Sequence, residues 1–159
     1  MLTPFSQLSD SQLYEIYIRF FNGISTYSIL SSIHGYSFTE LSQETKSNPD
    51  YKQELVLIDD EVIGCIRLDQ KNWIDRSLRV ILGIQVQDKL QQFANEVQSL
   101  LNSLIQYEGI NRFYIYCQPH EQAIKDVCSI LQFQQEVVLG QHLYINGHYQ
   151  NLEIWGTKR

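Results

Sequence analysis

A change of hydrophobic period in the middle of the chain constrains the fold more than any other feature. Apolar residues alternate with period two over residues 78–86 and then recur at steps of three and four over residues 90–105. The first pattern predicts a strand, and the second predicts a long amphipathic helix. Asp88 and Gln91 are spaced as a capping pair for the start of this helix, and Gly109 suits its end. Because N–H groups at such a junction are free to hold an anion, we expect a ligand site there.

The remaining segments predict a mixed α/β domain. Ser9 and Gln12 form a capping box before a first helix, and residues 24–52 predict a polar loop region with one or two short helices. Further strands are predicted at residues 54–58, 61–68, 112–117, 135–145 and 148–156, the last two joined by the hairpin signal Asn146-Gly147. We therefore predict the fold class as α/β, with a central twisted mixed sheet of about six to seven strands, helices on both faces, and one domain spanning residues 1–159.

A second long helix is predicted to begin at Pro119. Its inner face is expected to consist of apolar residues at helical spacing, namely Ala123, Ile124, Val127, Ile130 and Leu131. Glu121 and Lys125 are spaced to form an ion pair on its outer face.

Composition narrows the function classes. The formal net charge of −6 and the absence of a Lys/Arg cluster argue against a nucleic-acid surface. Cys65, Cys117 and Cys128 lie in apolar runs without Cys-x-x-Cys spacing, so we expect free thiols in a cytoplasmic protein. The four histidines show no metal-ligand spacing, and no apolar run is long enough to cross a membrane, so neither a metal nor a membrane partner is expected.

The C-terminal part of the chain resembles a known protein family. Residues 121–133 keep the apolar frame of the helix motif Asn-x-x-Ala-Ile-x-Leu-Tyr-x-Lys-x-Gly-Phe, and residues 143–155 are similar to a closing hairpin that follows it. Both features are typical of the GNAT superfamily of acyl-coenzyme A N-acyltransferases, in the branch that acetylates ribosomal-protein termini and spermidine. Residues 57–66 also resemble the second and third strands of that family.

The resemblance implies that acetyl-CoA lies between residues 78–86 and 112–117 and is attacked directly by a primary amine. N–H groups near residues 83–86 would polarise the thioester carbonyl. The cofactor-binding residues implied by this placement are Ile84, Gln85, Val86, Lys89, Gln92, Asn95 and Glu121. The amine would enter past an aromatic cluster that includes Tyr27, His34 and Tyr36.

The resemblance also implies two catalytic residues. Cys128 stands where the family has a Tyr that protonates the leaving thiolate, and a thiol can donate a proton. No carboxylate lies in the central strand to act as general base, so a water chain to Glu54, or to Asp69 or Asp75, would take the proton of the amine.

The chain departs from the family at its phosphate-binding motif, Arg/Gln-x-x-Gly-x-Gly/Ala. One alignment places this motif on residues 92–97, which contain no glycine and carry the negative charge of Glu96. The other places it on residues 85–91, where Lys89 could meet a phosphate. Because a Cβ on each residue obstructs close approach of backbone N–H groups to a diphosphate, we expect weak binding of acetyl-CoA.

Two functions remain open at this stage. The first is an N-acetyltransferase that acts on a small-molecule amine or a peptide N-terminus. The acidic net charge favours a cationic amine such as a polyamine or an aminoglycoside. The alternative is a GNAT-fold protein that has lost acetyl-CoA binding and serves as a binding or scaffold domain. A homodimer is compatible with either function.

Overall fold

The sheet that organises the molecule has seven strands, in the order β1-β2-β3-β4-β5-β7-β6. In the computed structural model of the protein, the described residues are 1–21, 23, 25–30, 37–47 and 54–157. The strands are β1 (Leu2–Pro4), β2 (Glu54–Ile58), β3 (Val62–Asn72), β4 (Ser77–Ile84), β5 (Arg112–Cys117), β6 (Phe133–Ile145) and β7 (His148–Thr157). Only β4 and β5 pair in parallel; the other neighbours are antiparallel. The predicted mixed sheet is therefore confirmed.

Helices cover both faces of the sheet, as predicted. They are α1 (Asp10–Ile16), which continues as a π-helical segment (Tyr17–Phe21), followed by α2 (Thr26–Leu30), α3 (Phe38–Ser47), α4 (Leu90–Glu108) and α5 (Gln122–Ile130). Leu78, Val80 and Leu82 of β4 pack in one core with α4 and α5, whereas Ile81 packs in a second core with the N-terminal helices. Alternation along β4 thus supplies both cores. Among the described residues, no helix is long and apolar enough to cross a membrane.

Local signals set several element ends. The capping box of Ser9 and Gln12 is present at the start of α1, and Gly109 ends α4 with a φ of 66°. At the β6–β7 turn, Asn146 has a φ of 50° and Gly147 a φ of 81°, and Ile145 pairs with His148. Positive φ at both central residues makes this the primed two-residue hairpin turn that the sequence predicts.

The predicted start of α4 is wrong. A short 3₁₀ turn (Gln87–Lys89) precedes the helix, which begins at Leu90 and has Lys89 as its N-cap residue. No side chain caps the start of the 3₁₀ turn or the start of α4 by a hydrogen bond, so Asp88 does not cap α4. The strand also ends earlier than predicted, at Ile84 rather than residue 86, and Ile84 is only half-buried.

The predicted faces of α5 need two corrections. Ile130 is 39% exposed, while Cys128 is buried beside Ile124 and Val127, because the short helix turns a different residue toward the sheet at its end. Glu121 does not pair with Lys125. The Lys125 Nζ instead lies 3.6 Å from a carboxylate oxygen of Glu153 on β7, and Glu121 turns toward α2.

Candidate functional site

β4 and β5 pair along only part of their length. Residues 77–80 of β4 are in parallel register with residues 112–115 of β5, yet β4 continues to Ile84 and β5 to Cys117. Over its last residues β5 stays paired with β7, where Cys117 faces Glu153. The two strands therefore diverge beyond Val80, and we call the opening between them the β4–β5 fork.

A cavity of about 260 Å³ lies in the β4–β5 fork. Its walls come from three parts of the chain. The end of β4 and the following turn contribute Leu82, Gly83, Ile84, Gln85 and Gln87; the start of α5 contributes His120, Glu121, Gln122, Ala123 and Ile124; the N-terminal region contributes Arg19, Phe20 and Ser25. A site at the carboxyl end of the central strand, where connections diverge to both sides, is typical of α/β proteins.

The backbone of β4 divides its hydrogen-bonding groups between β3 and the fork. The N–H of Gln85 donates to the carbonyl of Ile63 at 2.9 Å, and the N–H of Val86 reaches the same oxygen at 3.4 Å. These two N–H groups therefore do not serve as oxyanion donors, contrary to the expectation from sequence. Because antiparallel pairing alternates, the N–H groups of Leu82 and Ile84 point away from β3, toward the side where β5 has parted. They are the backbone donors available to the cavity.

Two glycines allow aromatic rings to lie against this part of β4. A Cβ added at Gly83 would lie 2.7 Å from Phe20 Cδ1 and 3.1 Å from Tyr27 Cγ. A Cβ added at Gly64 of β3 would lie 2.7 Å from the Gly83 carbonyl oxygen and 2.7 Å from Phe93 Cε2. Such distances are too short for any side chain, so Gly83 allows the N-terminal region to lie close to the cavity floor, and Gly64 allows Phe93 of α4 to lie against β3.

Tyr27 and Glu54 form a buried polar pair behind the cavity wall. The Tyr27 hydroxyl donates to Glu54 Oε2, and Arg67 Nη1 donates to Glu54 Oε1 at 2.6 Å. Tyr27 and Glu54 are fully buried, and neither lines the cavity. The structure therefore places Tyr27 in the core rather than at a substrate entrance. Glu54 holds Tyr27 and Arg67, and it is not positioned to accept a proton from an amine in the cavity.

Glu121 connects the N-terminal wall of the cavity to the wall formed by the start of α5. Its carboxylate accepts hydrogen bonds from the backbone N–H and the hydroxyl of Thr26 at the start of α2, the former at 2.9 Å, and from the backbone N–H of Gln118 at 2.7 Å. Charge-assisted hydrogen bonds of this kind are among the stronger polar contacts in proteins. Glu121 thus lines the cavity, as predicted, but its carboxylate is engaged within the protein.

The β4–α4 turn settles the alignment of the phosphate motif. Residues 92–97 lie inside α4, with Phe93, Ala94 and Val97 buried in the core, so they do not form the turn. The turn comprises residues 85–89, which supports the alternative placement with Lys89. In this placement, a motif that begins at Gln87 would put Leu90 and Gln92 at its glycine positions.

The other predicted cofactor residues lie around this turn. Gln92 and Asn95 are exposed on the first turns of α4, where Asn95 Oδ1 accepts a hydrogen bond from Gln91. Glu96 lies 3.2 Å from the N-terminal amine, so it faces β1 rather than the turn. Lys89 Nζ is 3.4 Å from an Asp59 carboxylate oxygen. Of the predicted cofactor residues, Ile84, Gln85 and Glu121 line the cavity.

Cys128 lies in the core and is not among the residues that line the cavity. Burial raises the pKa of its thiol, and the neighbouring Cys117 raises that pKa further. A fully buried thiol with a raised pKa has no route for its proton into the cavity. Cys65, Cys117 and Cys128 are all free and buried, as predicted.

The structure adds cavity residues that sequence reasoning missed. Arg19 and Phe20 come from the π-helical segment, and His120 precedes Glu121 in the turn before α5. The sequence signal available for Arg19 was a single charged residue within the otherwise apolar and aromatic segment Tyr17–Phe21.

The predicted substrate residues His34 and Tyr36 lie outside the described residues. Within the described part of the chain, no group of three or more His, Cys, Asp or Glu side chains could hold a metal ion.

Comparison with known proteins supports the fold assignment. No protein-family model matches the chain, and no curated protein matches its sequence. Among solved structures, a spermidine N-acetyltransferase SpeG from Vibrio cholerae is similar at 20% identity and a TM-score of 0.74, covering 98% of this chain and 93% of that one. RimL, a ribosomal-protein alpha-N-acetyltransferase solved in complex with coenzyme A, is similar at 17% identity and a TM-score of 0.71, covering 94% of this chain and 90% of that one. A dodecameric structure of the Vibrio cholerae enzyme matches at 20% identity and a TM-score of 0.73, covering 99% and 92%.

Proposed function

We propose that this chain, which has the fold of the GNAT acetyltransferases, transfers an acetyl group from acetyl-CoA to a primary amine. The observation that carries the proposal is the β4–β5 fork, where β4 continues past its partner beside a cavity. An unpaired strand edge offers regularly spaced N–H and C=O groups. The amide-containing arm of coenzyme A is linear and can pair with such an edge, which directs its thioester into the cavity. We also propose that residues 1–159 form one domain.

The phosphates of the acyl donor would lie at the β4–α4 turn. The N-terminus of α4 supplies the positive end of a long helix dipole there, and Lys89 supplies a charge. Asp88 adds a negative charge in the same turn, and Leu90 and Gln92 carry side chains where the family motif has glycines. The fork therefore fits the acyl end of the donor well, and the turn fits its phosphates less well. We expect weak binding.

The chemistry requires an amine nitrogen that has lost its extra proton. The neutral amine attacks the thioester carbonyl carbon, the N–H of Leu82 or Ile84 stabilises the oxyanion, and the C–S bond then breaks. The attacking nitrogen loses a proton, and the thiolate of coenzyme A gains one. Of the lining groups, His120 is exposed and carries an imidazole, a group that both accepts and donates protons, so we assign it the proton transfer.

The second candidate function is a binding or scaffold domain without acetyl transfer. The observation that favours it is the absence of glycine from residues 85–97. Loss of the phosphate contacts would leave the cavity without an acyl donor.

Calorimetric titration with acetyl-CoA and a thiol-release assay with amines separate the two candidates. We expect saturable binding weaker than about 10 µM and acetylation of at least one amine. Asp88→Asn should tighten binding about threefold or more, because it removes a negative charge near the phosphates. Glu44→Gln on α3 is the control, since it makes the same change in net charge away from the turn. No binding at millimolar acetyl-CoA would favour the scaffold function.

We also propose that the chain forms a homodimer through the β6–β7 hairpin. β6 is the open edge of the sheet, and residues 137–152 contain no Asp, Glu, Lys or Arg, although the chain has a net charge of −6. Val138, Tyr144 and Tyr149 are at least half exposed on this hairpin. An uncharged strand edge lacks the charges that prevent pairing with another strand, and two acidic copies repel least where they are uncharged.

A further inference from the structure

The acceptor side of the cavity is formed by the π-helical segment Tyr17–Phe21. Arg19 and Phe20 of this segment line the cavity, together with Ser25, while the opposite wall belongs to the β4–α4 turn. Short π-helical segments are uncommon and occur frequently at functional sites. Since the acyl donor is assigned to the β4–α4 side, the N-terminal wall and the start of α5 are left to contact the amine.

Among the residues that the structure describes, three ionisable side chains line the cavity: Arg19, His120 and Glu121. The carboxylate of Glu121 already accepts hydrogen bonds from the N–H and hydroxyl of Thr26 and from the N–H of Gln118. Three of its roughly four acceptor sites are therefore used within the protein, which limits its freedom to turn toward a second ammonium group on a ligand. Arg19 Nη2 contacts Glu15 at 2.7 Å, an ion pair in which both side chains are about one-third exposed. Such a pair is weak, and a guanidinium has further N–H donors.

Apart from Glu15, which pairs with Arg19, the sequence around this wall contains no acidic residue. Residues 16–39 contain no Asp or Glu, and Arg19 is their only charged residue at neutral pH. This range includes the segment that joins α2 to α3, so no residue of that segment can supply a carboxylate. The acidic residues that give the chain its net charge of −6 lie elsewhere in the sequence.

We propose that the acceptor is an amine that also bears a carboxylate, such as an amino acid or an acidic peptide, and that Arg19 binds this carboxylate. The inference rests on the proposed acetyl transfer and deepens it. A polyamine would instead present a second ammonium to an arginine and to a carboxylate that is already hydrogen-bonded. The net charge of the chain favours a cationic amine, but Arg19 in the cavity favours an amine that bears a carboxylate. Arg19 is the stronger guide, because ligand contacts are short-ranged and distant charges are screened.

Thiol release from acetyl-CoA should be measured with three acceptors that share one carbon chain: γ-aminobutyrate, its amide, and putrescine. We expect kcat/KM for γ-aminobutyrate to exceed that for putrescine by about tenfold or more. Arg19→Gln should reduce kcat/KM for the carboxylate about tenfold and change that for the amide less than about threefold. Arg76→Gln, an exposed arginine in the β3–β4 turn, is the matched control and should alter neither value.

Each outcome has a defined meaning. Higher kcat/KM for putrescine would overturn the inference and leave acetyl transfer standing. Equal losses with all three acceptors in Arg19→Gln would also overturn it, and calorimetry with acetyl-CoA would show whether Arg19 contacts the donor instead. Thiol release with none of the acceptors, together with no acetyl-CoA binding, would overturn the proposed function and the inference with it.

Discussion

At Gly83, one missing side chain allows two aromatic rings to lie against the backbone of β4. Phe20 and Tyr27 meet there edge to face, with ring centroids 5.8 Å apart, and the Tyr27 hydroxyl is fixed by Glu54. The wall of the cavity is therefore held by a chain of contacts that begins at a glycine. Glycine is needed at position 83 for packing and not for a turn, since Gly83 lies within a strand.

We predict that Gly83→Ala lowers the free energy of unfolding by about 1–3 kcal/mol, because the new methyl group would overlap Phe20. Urea denaturation measures this change. Gly140→Ala on β6 is the control, since an added Cβ meets nothing within 4 Å there. Equal stability of the two variants would show that the rings move away from β4 without cost.

The buried cysteines allow a second test at the residue scale. Burial raises the pKa of Cys117 to about 12, with a further contribution from the Glu153 carboxylate, and burial also raises the pKa of Cys65 and Cys128. At pH 8 all three are then protonated and enclosed. We predict almost no reaction of the native, unreduced protein with a thiol reagent and three reactive thiols after denaturation. A count of one in the denatured protein would reveal a disulfide.

At the scale of elements, the β6–β7 hairpin depends on two residues in the left-handed region. Asn146 and Gly147 both have positive φ, which the primed two-residue turn requires. We predict that Gly147→Val lowers the free energy of unfolding by about 1–3 kcal/mol, since a β-branched residue is strained there. Gly147→Asn should cost much less, because Asn tolerates this conformation. Thermal melting of both variants would reveal the difference, and equal melting temperatures would contradict the turn assignment.

The junction between β4 and α4 shows how an element boundary controls chemistry. The sequence places a strand and a helix correctly, but their separation by a 3₁₀ turn moves the helix start from Asp88 to Leu90. Residues 92–97 lie inside the helix with either start, so any phosphate site at this junction is formed by the turn at residues 85–89. Hydrophobic period does not resolve such a shift, since both registers keep the same residues in the core.

For the whole molecule, the uncharged hairpin predicts self-association. We predict a concentration-dependent dimer in sedimentation equilibrium, which Val138→Lys should weaken by about tenfold or more, because a lysine would be buried against the partner's edge. Tyr107→Lys on α4 is the control, since it also replaces an exposed large hydrophobic residue, here one away from the hairpin. A monomer at every concentration would refute the dimer, and equal effects of both substitutions would move the interface elsewhere.

The sequence by itself determined the features that depend on neighbours along the chain. The change of period at β4 and α4, the capping box of Ser9, the end of α4 at Gly109 and the Asn146-Gly147 turn all rest on contacts within a few residues. Such contacts leave a readable spacing, because backbone geometry fixes which nearby residues meet. The fold class followed from these elements together with the family resemblance.

The tertiary structure alone decided the composition of the cavity. Glu121 meets Thr26 from 95 positions away, and Arg19 and His120 line one cavity although no local pattern relates them. The divergence of β4 from β5, which creates the fork, depends on β5 remaining with β7. Cys128 and Glu54 were plausible catalytic groups until packing enclosed them. Long-range packing determines which polar groups stay accessible, and a sequence does not show the solvent exposure on which their chemistry depends.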